Sequence, residues 1–257
     1  MIHFYFDESI HERGGFIVGA YVCGPDADPV VARALRACGM EPGVDEFKSS
    51  ARMTGHPEQV ALRSELQRLL RGYRLGVLVV PSTARASLGE EALRGLAQIA
   101  RLNSLTAAGL VAWFDEGTFV SINQALKLSA ELKINEYCEL RAEQDSRIVK
   151  GIQLADLVAH TCGTMLLETL GLVTKQVKAG HESGYDPEME LELGFELWAG
   201  LRYQFFHAGP VTGQEEPYEG TLMNVGLHGL HIAETCSGQL RSAAEKRFGQ
   251  CYLGCIH

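Results

Sequence analysis

Apolar and polar positions fall in blocks that predict a mixed α/β chain. Four of the five residues from Ile2 to Phe6 are apolar or aromatic, which suits a buried strand, and that run meets Asp7-Glu8-Ser9. Ile10 to Gly15 reads as a hairpin loop and Phe16 to Val22 as a second strand, so the chain opens on an antiparallel pair. Asp28-Pro29 begins a helix to about Cys38, with Asp28 as N-cap. Pro57 opens another to about Gly72. Arg63, Gln67, Arg71 and Arg74 recur there as a basic stripe, either a solvated face or one that contacts phosphate. Arg74 to Pro81 is a strand whose unbroken apolar run predicts burial on both faces. Then follow a helix from Leu88 to about Ala108, a strand from Gly109 to Phe114, a helix from Ser121 to Ala130 and a strand from Tyr137 to Ala142. Lys150 to Leu167 is apolar on nearly every side and should be a buried helix. Beyond Gly171 the pattern predicts a loop over 175–184, an amphipathic helix over 188–207 carrying Phe195, Trp198, Tyr203 and Phe206, and a loop over 209–220.

The strand ends carry the chemistry. Phe4-Tyr5-Phe6-Asp7-Glu8-Ser9 is echoed by Ala112-Trp113-Phe114-Asp115-Glu116-Gly117, so two apolar strands each deliver an Asp-Glu pair. A carboxylate at the end of a core strand is costly to desolvate unless something positive meets it. If the two strands lie parallel and adjacent, Asp7 and Asp115 converge where open α/β sheets place their ligands. Successive side chains alternate, so Asp7 and Glu8 face opposite sides and Glu8 reaches at most the rim. Asp145 marks a third acidic strand end. Asp156 sits inside the buried helix, with Gln153 three residues before it and His160 four after, all on one stripe. A buried helical Asp needs a donor, a base or a metal. Asp45-Glu46-Phe47-Lys48-Ser49-Ser50 reads as an exposed loop or as a source of further site residues.

Composition changes this picture in a few places. With 257 residues, 46% hydrophobic and 21% charged, the chain is that of a globular protein with a substantial core. The net charge of −9 looks hostile to nucleic acid, but residues 182–219 hold nine acids against one base, Arg202, and the rest nets only −1. The expected division is a core over 1–167 and a helical, cysteine-rich extension over 168–257. That extension is acidic over 182–219 and Cys/His-rich over 228–257. No apolar run approaches the roughly 18 residues of a membrane span, and the N-terminus has no basic signal-peptide start. The expected location is therefore cytoplasmic, away from membranes, with the seven cysteines mostly reduced. Cys251-x3-Cys255-x-His257 fits no common zinc spacing, so a packed cysteine-rich core is expected there rather than structural zinc.

No P-loop, GxSxG elbow, HExxH or dinucleotide fingerprint is present. What stands out is acidic: Asp7, Asp115 and Asp156, with Glu46 and Asp145 as further candidates. Carboxylates gathered at one edge repel unless divalent cations are bound, and hard oxygen ligands suit Mg²⁺ or Mn²⁺. Two such ions about 4 Å apart can activate a water and stabilise the leaving oxygen of a phosphodiester.

The order of elements resembles the ribonuclease H-like fold. More specifically, the chain resembles the bacterial and phage domain-of-unknown-function family numbered 3800 over about residues 1–167. The marks are the strand ending in Asp7-Glu8-Ser9, the Glu46-Phe47-Lys48 segment, the strand ending in Asp115 and the helix Gly151-Ile152-Gln153-Leu154-Ala155-Asp156-Leu157, in that order. The family has Gly where Ile10 stands. The resemblance implies a metal-dependent nuclease using two Mg²⁺ or Mn²⁺ ions on nucleic acid, RNA or DNA, in mobile-element or defence settings. It makes Asp7, Asp115 and Asp156 metal ligands, and Glu46 a fourth ligand or water-positioning group. Lys48 becomes a phosphate or transition-state contact, and Gln153 and His160 orienters behind the ligands, with Glu8 and Asp145 at the periphery. Two other readings stay open. One is a non-catalytic interaction protein that self-associates through the extension; the other is a hydrolase of small phosphates or nucleotides.

Overall fold

A computed structural model describes residues 1–49, 55–179, 186–216 and 220–254, so Ser50, part of the expected 175–184 loop, Cys255 and His257 lie outside the described residues. The strands are β1 (Ile2–His11), β2 (Phe16–Gly24), β3 (Arg74–Pro81), β4 (Leu110–Asp115), β5 (Cys138–Gln144), β6 (Gln176–Lys178), β7 (Glu190–Glu192), β8 (Pro210–Glu216), β9 (Gly220–Asn224), β10 (Leu230–Ile232) and β11 (Gln250–Leu253). The helices are α1 (Asp28–Ala37), α2 (Pro57–Leu69), α3 (Leu88–Leu102), α4 (Ile122–Glu131), α5 (Ile152–Thr169), α6 (Leu193–Leu201), α7 (Gly226–Gly229) and α8 (Gly238–Phe248).

Six strands form one mixed sheet in the order β10-β3-β2-β1-β4-β5. β2 runs antiparallel to β1 and β3, whereas β1–β4, β4–β5 and β3–β10 pair in parallel. The fold is therefore α/β, and the run β3-β2-β1-β4-β5 with β2 reversed is the expected ribonuclease H-like order. α5 lies along β1 and β2 on one face. On the other face the Tyr21 hydroxyl donates to the Ala92 carbonyl of α3 at 2.7 Å, and the rings of Phe6, Tyr21, Phe114 and Phe119 pack together. Phe4, Tyr5 and Phe6 are each 1% exposed, as a central strand covered on both faces requires.

Several boundaries differ from the pattern-based ones, each for a local reason. β1 does not stop at the acids: β2 keeps pairing with it up to His11–Phe16, and the expected loop contracts to a 3₁₀ turn at Glu12–Gly14. Asp28 lies inside α1 rather than capping it, and its carboxylate accepts the Gly151 N–H at 3.0 Å, tying α1 to the start of α5. α3 ends at Leu102, six residues early, because Ser104 turns left-handed (φ 56°) and Leu105 N–H closes on the Ala100 carbonyl at 2.8 Å. Arg74 falls in β3, so the basic stripe of α2 is shorter than expected.

The expected 188–207 helix is a strand and then a helix. Glu188-Met189-Glu190-Leu191-Glu192 alternates with period two, and Glu190–Glu192 pairs with Gln176–Lys178 as β7 with β6. Only α6 and a 3₁₀ turn at Arg202–Gln204 follow. The expected 209–220 loop instead supplies β8 and the first residue of β9, which with β11 make a three-stranded sheet. β10 adds a sixth strand to the main sheet beside β3, and α6 and α8 pack on α5. Cys236 and Cys251 are buried free thiols, held in their neutral form by burial that raises each to about 11. Among the described residues no helix is long and apolar enough to cross a membrane.

Candidate active site

The parallel ladder of β1 and β4 runs from Ile2–Leu110 to Phe6–Phe114 and then stops, leaving Asp7 and Asp115 at the next position of each strand. The echo in sequence thus becomes adjacency in space. This is the carboxyl end of the parallel β1–β4 ladder, beyond which β1 continues paired with β2 alone, at the point where strand order reverses and α/β sheets form ligand crevices. Gly151 allows α5 to start close over the sheet, since a Cβ there would strike the Tyr5 ring. α5 then runs along β1 and brings Asp156 beside Asp7.

A fourth element closes over this group. Gln153 is 1% exposed and uses both ends of its amide: Oε1 accepts the Phe47 N–H at 2.9 Å and Nε2 donates to the Ser146 carbonyl at 2.9 Å. Asp156 accepts the Ser49 N–H at 2.9 Å and the Ser49 hydroxyl as well. The segment Glu46–Ser49 is therefore not a free loop but a strap pinned to α5, with Phe47 buried at 1% exposure. Lys48 bonds Glu46 at 3.2 Å, and the Ser146 hydroxyl donates to Glu46 at 2.5 Å.

The electrostatics are those of crowded acids. Burial pushes the Asp7 carboxyl well above its ordinary range; Asp115, Asp156 and Glu8 add to the rise, against the Glu8 N–H that Asp7 accepts at 2.7 Å. Burial likewise raises Asp115 to about 6, with Lys48 and the Glu116 backbone opposing and Glu116 and Asp156 adding. Glu8 faces the other side, where the Thr118 hydroxyl donates to it at 3.2 Å, and burial lifts it to about 7. Burial would lower the Lys48 ammonium, but Glu46, Asp115 and Asp156 together raise it. Among the described residues no three His, Cys, Asp or Glu side chains stand ready-made around one metal ion. Ser49 engages both oxygens of Asp156.

The remaining candidates are placed differently. Asp145 turns to Arg147, which bonds it at 2.7 Å and lowers its pKa, so it points to its own loop. The ring of His160 lies 6.2 Å from that of His11, and burial lowers it even though the Asp156 charge acts the other way. Ser49, Ser146 and Thr118 each bond a site carboxylate, and the pattern assigns none of them a role of its own. Ser49 had one visible signal, its place directly after Glu46-Phe47-Lys48.

No family model and no curated protein matches this chain. Among solved structures, a chain from the complex of PCNA with RNase HII from Archaeoglobus fulgidus aligns over 73% of this chain and 84% of that one, at 18% identity and a TM-score of 0.36.

Proposed function

We propose that this protein hydrolyses phosphodiester bonds of nucleic acid with the help of divalent metal ions. The observation that carries the reading is the meeting of Asp7 and Asp115 at one sheet edge, with Asp156 across from them and Lys48 beside them. The donors are all carboxylate oxygens in a partly buried site, which fits a hard cation and would relieve the repulsion that raises Asp7 and Asp115. Asp7 and Asp115 would hold Mg²⁺ or Mn²⁺, and Asp156 would join once Ser49 gives way. Such ions, when bound, activate water and offset charge on phosphoryl oxygens.

The chain's own residues supply the rest. The Lys48 ammonium, half exposed and raised by its acidic neighbours, is placed to meet a phosphate oxygen. Glu46, fixed by Ser146 and Lys48, is placed to orient a water or take its proton. Gln153 acts behind both by holding the strap that carries them.

The test is the full chain with single-stranded and duplex RNA and DNA, with Mn²⁺ or EDTA. Metal-dependent cleavage is expected, falling about 100-fold in Lys48→Ala and further in Asp7→Asn. Cleavage that persists in EDTA, or that is undiminished in Asp7→Asn, would end the reading.

A further inference from the structure

We propose that Trp113 and His3 form a flat platform on which an unpaired base stacks beside the acidic site, an inference that rests on the nuclease reading above. The indole N–H of Trp113 donates to Nδ1 of His3 at 3.2 Å, the two ring planes differ by 13°, and their centres are 6.3 Å apart. The N···N distance together with the rings' own radii accounts for that separation. The rings therefore lie side by side in near-parallel planes, joined at their edges, giving a surface broader than either alone. An indole nitrogen can only donate, so Nδ1 of His3 accepts and a neutral His3 carries its proton on Nε2. Trp113 and His3 are both partly exposed, whereas Tyr5, the next ring in the row, is buried.

The position of the platform ties it to the acids. Side chains alternate along a strand, so Trp113 and Asp115 share one face of β4, and His3 and Asp7 share the same face of β1. Two strand residues, about 6.6 Å, separate Trp113 from Asp115, a span that one extended nucleotide bridges. Arg141 is the register partner of Trp113 in β5; it is half exposed and tied to Glu139 two residues away. The cation–π contacts among the described residues belong to Trp198 and Tyr203, so no cation covers the indole of Trp113 there. An aromatic plane with a cation beside it takes a base on its face and a phosphate at its edge, without preference among bases. Bases inside a duplex are covered by their neighbours, so the occupant is a single-stranded segment of the nucleic acid.

The chain has two tryptophans, and Trp198→Phe leaves Trp113 as the sole indole. In that background, in EDTA so that cleavage cannot intervene, the emission of Trp113 is followed during titration with single-stranded and with fully duplex 12-mers of RNA and of DNA. Saturable quenching by at least one single-stranded oligomer, stronger than by the matching duplex, is expected. By fluorescence anisotropy of a labelled oligomer in the natural chain, Trp113→Ala should weaken binding about tenfold or more, and Trp113→Phe, which keeps a ring, less. Circular dichroism of each variant establishes that it is folded. No quenching by any oligomer, quenching by duplex alone, or a folded Trp113→Ala that binds as the natural chain does would overturn the platform. The two readings fail separately. Quenching without metal-dependent cleavage ends the nuclease and keeps the platform. Cleavage whose KM is unchanged in Trp113→Ala ends the platform and keeps the nuclease.

Discussion

Ser49 gives Asp156 two hydrogen bonds, one from its backbone N–H at 2.9 Å and one from its hydroxyl, across 107 positions of sequence. Both oxygens of that carboxylate are thereby occupied. Ser49→Ala removes the hydroxyl bond and should lower metal-free stability by about 1.5 to 3 kcal/mol, the range for a bond to a charged group. It should also strengthen Mn²⁺ binding, because one oxygen of Asp156 is released. Thermal melts with EDTA and with Mn²⁺, beside isothermal titration, check both signs. A variant that loses stability and gains no affinity for the ion would show that Asp156 is structural.

Gln153 joins three stretches of chain through one buried amide. Gln153→Ala should cost about 2 to 4 kcal/mol, since it strands the Phe47 N–H and the Ser146 carbonyl and opens a cavity. Urea unfolding measures the loss. Hydrogen exchange should show the Phe47 amide losing protection before the amides of α5 do.

The raised acids predict a pH dependence with a definite sign. A carboxyl whose folded pKa lies above its unfolded one favours the folded state at low pH and loses that contribution as pH rises through the folded value. For Asp115 the window runs from its ordinary 3.8 to about 6. Asp115→Asn should therefore be more stable than the natural chain in EDTA at pH 8, with the difference shrinking towards pH 4. Melting curves of the pair across that range check it, and the comparison cancels other groups. Among those, His11 is lowered to about 4 by burial and by His160, and so opposes the acids between about 6.5 and 4.

Gly163 faces the His11 ring so closely that a Cβ would collide with Nε2. Gly163→Ala should destabilise the chain by about 1 to 3 kcal/mol through overpacking, although alanine is the better helix former. His11→Ala should recover most of that loss in the double variant. A double-mutant cycle by urea unfolding gives the coupling, and additive effects would mean the contact is not the cause.

Much of the fold is written in local patterns. The Phe4-Tyr5-Phe6 and Trp113-Phe114 runs, each ending in Asp-Glu, predicted two core strands with acids at matching positions, because alternation and burial act residue by residue. The apolar girdle of α5 predicted a buried helix with Asp156 inside it. Only the tertiary structure decided that β1 and β4 are parallel neighbours in register, since pairing depends on contacts more than a hundred residues apart. It also decided what meets Asp156: a serine from a strap that a single-sequence pattern leaves as a loop, held by a glutamine that turned out to clamp chain segments. The same holds for Trp113 and His3, whose near-parallel rings are bonded because strand register sets them side by side. Residue types and their periodicity follow from the chain itself; partners across the sheet follow from how it folds.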